Sequence, residues 1–91
     1  MEQITDLITI DREANAAYLR LSREISVRTE VLNDFVNVDL DSSHRVVGVE
    51  LLSLDEEVPF EDLASRYHLR ADLIESLKEL WFAKSQRQPL W

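Results

Sequence analysis

Asn37, Asp39 and Glu50 are the residues whose types could do chemistry. Two carboxylates and an amide oxygen are hard donors of the kind that hold a divalent cation, and a carboxylate pair is the minimum for general acid–base hydrolysis. Their spacing does little for either. Asn37 and Asp39 stand two apart, one step along a strand face, and Glu50 lies beyond a short turn, so the three meet only if this stretch is a β-hairpin. No Asp-x-Asp-x-Asp-Gly loop surrounds them, and a flat sheet face lacks the cleft that would raise one carboxyl pKa. A divalent-metal or hydrolytic site at these positions is therefore an alternative only; no catalytic residue, metal ligand or cofactor is assigned. His44 and His68 sit in no metal-ligand spacing, no serine lies in a Gly-x-Ser-x-Gly elbow, and the single glycine excludes a phosphate-cradling loop. The chain reads as a non-enzyme.

These residues lie in Phe35–Leu52, two alternating runs joined by Asp41-Ser42-Ser43-His44-Arg45, which predicts the central hairpin of a small sheet. The turn holds no glycine; if it needs a positive φ, a non-glycine residue must supply it, and His is among the more tolerant. Upstream, Leu7–Ile10 and Ala17–Leu21 flank Asp11–Asn15 as a first hairpin, and Ile25–Val31 alternates before the turn signal Asn33-Asp34. The expected sheet collects Ile8, Ile10, Leu19, Leu21, Val27, Val31, Val36, Val38, Leu40, Val47, Val49 and Leu51 on an apolar face that wants a cover. Its other face collects Tyr18, Arg20, Arg28, Glu30, Asn37, Asp39 and Glu50, which as a solvated surface would carry weak cross-strand ion pairs. Gly48 falls on that polar face, where a missing side chain marks a bulge or a close approach, and Tyr18 is the candidate to lie across it.

After Leu54 the pattern changes. Asp55–Pro59 is an acidic linker, with Pro59 in or next to a first helical turn. Phe60, Leu63, Ala64 and Tyr67 then predict one short helix, and Leu73, Ile74, Leu77, Leu80 and Trp81 a longer one reaching about Lys84. This spacing also suits a helix-turn-helix over 60–84, with His68 where a glycine is common. The second helix would then present Arg70, Asp72, Glu75, Ser76 and Glu79 to a major groove, and three acids there oppose the phosphates. Phe82 points away from the apolar face and Trp91 ends a polar tail, making them candidates for self-association.

Charge narrows the partner. Up to Glu57 there are thirteen acids and five bases; beyond it there are five of each, so the whole net charge of −8 arises in the first part. Such a field repels nucleic acid and anionic membranes and attracts basic proteins, although excess acid also simply keeps a small protein soluble. No apolar run approaches a membrane span and the N-terminus lacks a secretory pattern; with no cysteine, the expected location is cytoplasmic.

The runs Asp11-Arg-Glu-Ala-Asn-Ala-Ala-Tyr-Leu-Arg-Leu and Val36-Asn-Val-Asp-Leu-Asp-Ser-Ser-His-Arg-Val-Val-Gly-Val-Glu-Leu-Leu, within Ile10–Leu52, resemble a bacterial and archaeal family of small proteins catalogued as domain of unknown function 2283. Family members usually carry Asp-Gly where this chain has Ser43-His44, and many end soon after the last strand, so the helical tail is additional. The resemblance implies a small β-meander without an established activity. It also implies an antitoxin-like role, because some such proteins sit beside small toxin-like partners.

Together these readings predict a single α+β domain over 1–91: an antiparallel β-meander of four or five strands within 1–54, an acidic linker at 55–59, a helical hairpin at 60–84 and a tail at 85–91. The expected function is a non-catalytic interaction module that binds a basic partner protein through Tyr18, Arg20, Asn37, Asp39 and Glu50. The alternatives are a DNA-binding regulator using 60–84 and the metal or hydrolytic site. A homo-oligomer is expected, because exposed sheet edges invite pairing. Neither nucleic acid nor membrane is the expected partner.

Overall fold

The computed structural model describes residues 8–85, with side chains as far as Ala83. These residues fall into two compact units that part between Val58 and Pro59. The first is a five-stranded antiparallel sheet: β1 (Ile8–Asp11), β2 (Ala16–Arg20), β3 (Arg28–Asn33), β4 (Val36–Leu40) and β5 (Val46–Leu51). The second holds two helices, α1 (Phe60–Tyr67) and α2 (Ala71–Ser85), so the arrangement is α+β. Among the described residues no helix is long and apolar enough to cross a membrane.

The strand order is β1-β2-β5-β4-β3, which differs from the sequential order of a plain meander. β5 takes the centre because it is the most apolar strand, with Glu50 its only charge, and a central strand must be satisfied along both edges. The segment after β2 then has to pass the ends of two strands. Leu21 and Ser22 both donate their N–H to the Val47 carbonyl, and Val27 donates to that of Leu40, which delivers the chain to the far edge.

Side-chain alternation gives the sheet two faces. Ile8, Leu19, Val49 and Val38 oppose one another across four strands, and Ile10, Ala17, Leu51 and Val36 form the next row. All of these except Ile10 are buried. Each large one contributes about 2 kcal/mol by leaving water. Two bulges break the alternation. In β5 the pairing steps from Asp39↔Gly48 to Leu40↔Val46, leaving Val47 as an extra residue, and both Val46 and Val47 are buried.

The second bulge reverses an expectation. At the β3–β4 turn Asn33 faces Val36, and that register continued would set Val31 opposite Val38 on the buried face. Leu32 is inserted instead, so Val31 faces Asn37 and Glu30 faces Val38. Val27 and Val31 are therefore exposed rather than part of the core, while Arg28 and Glu30 lie on the side of the apolar rows rather than the polar face. Arg28 and Glu30 form an ion pair along the strand.

Non-glycine residues close the turns. Asn15, His44 and His68 all hold positive φ, at 56°, 66° and 57°. Around His44 the Asp41 carboxylate accepts from the N–H groups of Ser43 and Arg45 at 2.8 and 2.9 Å, so the turn is organised by a side chain rather than by a glycine. His68 ends α1 in the left-handed conformation, and the Leu69 N–H reaches back to the Ala64 carbonyl at 3.1 Å. Pro59 precedes the first turn of α1, where Glu61 and Asp62 favour the positive helix end. In α2, Ile74, Leu77 and Trp81 are buried, whereas Leu80, expected beside them, reaches solvent.

Candidate functional site

Tyr18, Arg20, Asn37, Asp39 and Glu50 all fall on the sheet face opposite the buried rows. One row reads Thr9, Tyr18, Glu50, Asn37, Val31 across the five strands, and the next reads Arg20, Gly48, Asp39, Thr29. The two bulges lie outside the pairs Asn37↔Glu50 and Asp39↔Gly48, which keeps the predicted residues in register.

Gly48 is the centre of this face. A Cβ added to it would lie 2.0 Å from the Tyr18 hydroxyl oxygen and 2.3 Å from the ring carbon bearing it, so the phenol occupies the volume that glycine leaves empty. Lying there, Tyr18 spans β5 and donates its O–H to Asp39 at 2.8 Å. Thr29 donates to the other Asp39 oxygen at 2.6 Å, a partner that the alternation of Ile25–Val31 does not predict because the bulge at Leu32 shifts the phase of β3 by one residue. The Asn37 amide donates to Glu50 at 3.2 Å. Arg20 stands over the Tyr18 ring, 5.6 Å from its centroid, a cation–π contact of about 0.5–1 kcal/mol at an exposed site.

Both carboxylates are thus held by neutral donors. Among the described residues neither Asp39 nor Glu50 has an ion pair, so their charges are oriented but not neutralised. Nor do they converge as a metal site would require: among the described residues no group of three His, Cys, Asp or Glu could hold an ion. Phe35 and Leu52, which alternation from Asn37 and Glu50 puts on this face, and Val31 opposite Asn37, give one end of it an exposed apolar margin.

The Tyr18 pKa is pushed up to about 12, first by burial, then by its hydrogen bond to Asp39 and that carboxylate's charge; Arg20 pulls the other way. The folded state therefore holds this proton more tightly than the unfolded chain, whose phenol titrates near 10.0. Its contribution to stability is complete below pH 10 and is lost as pH rises from about 10 to about 12. Phenolate absorbance should show the Tyr18 phenol titrating late in the wild type. Asp39→Asn should bring that midpoint down without returning it to the unperturbed value, because burial remains; an unchanged midpoint would contradict the contact.

Of the remaining predicted residues, Phe82 is 57% exposed and Trp91 lies outside the described residues. His68–Arg70 join α1 to α2 as a tight turn, and Asp72, Glu75, Ser76 and Glu79 are exposed along α2. Arg70, the one cation expected on that face, forms a two-pronged pair with Asp72 at 3.1 and 2.5 Å, which holds the Asp72 carboxyl below its ordinary range.

A family model described as Protein of unknown function (DUF2283) matches residues 7–54, the span of the sheet. No curated protein and no solved structure matches the chain.

Proposed function

Because the chain belongs to the DUF2283 family of proteins of unknown function, we propose a role from the sheet itself: a non-catalytic module that docks a basic partner protein. The observation that carries this reading is the pair Asp39 and Glu50, each fixed by a hydroxyl or amide and, among the described residues, without an ion pair. A partner's Lys or Arg side chains would supply the missing counter-charge, and the −8 net charge would steer their approach. The finer reading, that the partner is a small toxin-like protein, rests on the family likeness.

The helix-turn-helix alternative finds its turn at His68 but little positive charge to meet phosphates, since α2 exposes three acids and Arg70 is already paired. A metal or hydrolytic role finds Asp39 and Glu50 engaged with separate donors.

The test is capture from a host lysate with the tagged wild type and with Asp39→Lys/Glu50→Lys, at low and high salt. The expected result is one small basic protein, identified by mass, kept by the wild type at low salt and lost both at high salt and by the charge-reversed variant. An identical retained set for both chains would remove the reading.

A further inference from the structure

β3 has a strand on one side only among the described residues, and the bulge at Leu32 with the opposite charges of Arg28 and Glu30 guards that edge against indiscriminate pairing. The strand carries no proline or lysine, and several of the exposed residues along it are β-branched: Val27 just before the strand is 59% exposed and Val31 within it 70%. Alternation carries Val27, Thr29 and Val31 to one side, where the pairings Thr29↔Asp39 and Val31↔Asn37 fix them on the polar face. Arg28 and Glu30 carry opposite charges to the other side. Exposed β-branched residues along a sheet edge form a template for another strand.

The sequence of that edge is complementary to itself. If two copies of β3 pair antiparallel about a two-fold axis through Thr29, Val27 of each chain faces Val31 of the other. In the same register Arg28 faces Glu30 of the other chain, twice. One face of the junction is then apolar and the other doubly ion-paired, whereas a shift by two residues would bring like or unmatched groups together.

We infer that β3 is the self-association edge of this protein, pairing with β3 of a second copy in the register centred on Thr29 to give one continuous ten-stranded sheet. Because the axis stands perpendicular to the sheet, the two copies' Asp39–Glu50 faces lie side by side on the same surface. The inference does not depend on what that surface binds.

Charge reversal tests the register. The wild type should sediment as a dimer at sub-millimolar concentration, and Arg28→Glu and Glu30→Arg should each sediment as monomers while keeping wild-type circular dichroism. Arg28→Glu has two acids at these positions and Glu30→Arg two bases, so mixing the two variants should restore a dimer containing one of each. Phe82→Ser should leave the wild-type dimer intact. A wild type that stays monomeric would overturn the inference, as would single reversals that remain dimeric or folded variants that do not associate on mixing. Dissociation by Phe82→Ser, with Arg28→Glu remaining dimeric, would place self-association on α2 instead.

Discussion

Leu19→Ala is expected to lower the unfolding free energy by about 3 kcal/mol, within the range seen when a buried leucine leaves a cavity. Leu19 has no exposed surface and sits between Ile8 on β1 and Val49 on β5, so the void would open in a strand paired on both sides. A domain of this size has roughly 5–10 kcal/mol in total. Urea unfolding should show a lower midpoint at an unchanged slope. A loss below about 1 kcal/mol would mean that the site collapses freely, contrary to close packing of the buried rows.

Gly48→Ala should produce the second large effect, through Tyr18 rather than through the backbone. Gly48 does not have a positive φ, so alanine fits its backbone and would by itself favour an extended strand by about 0.5–1 kcal/mol. The added methyl cannot coexist with a phenol oxygen 2.0 Å away, so the ring must swing off β5 and release Asp39. The net expectation is a loss of about 1–2 kcal/mol, since a hydrogen bond to a charged group and the ring's packing are both removed. Two further readings separate this from ordinary strain. The late-titrating phenol should move toward the unperturbed value, and in a Tyr18→Ala background Gly48→Ala should become neutral or stabilising. Equal losses in both backgrounds would show that something other than Tyr18 excludes the methyl.

Much of this face is legible in the amino-acid sequence. The alternation in Phe35–Leu52 placed Asn37, Asp39 and Glu50 together, because register there is tied to burying Val36, Val38, Val49 and Leu51. Gly48 and Tyr18 could be paired because a lone glycine on a polar strand face needs a reason to lack a side chain. The phase of β3 was not legible. Val27 and Val31 look like core residues by type, and the bulge at Leu32 that turns them outward depends on how the Asn33–Val36 turn closes, where Asn33 accepts from the Phe35 N–H. Thr29 was lost as an Asp39 partner for the same reason. The strand order was hidden too, since local alternation says which residues share a face but not that the chain after β2 crosses two strand ends.

The neutral donors on Asp39 and Glu50 also bear on time. A carboxylate already fixed by Tyr18 and Thr29, or by Asn37, has little rotamer freedom left to lose when an ammonium or guanidinium arrives, so the encounter need not wait for it to find its orientation. Added salt should then slow association by screening the approach. The lifetime of the complex would be governed by Val31, Phe35 and Leu52 at the margin, whose contacts ions screen little. Arrival and departure would be controlled by different residues of one surface, and substitutions in the two groups would change different rate constants.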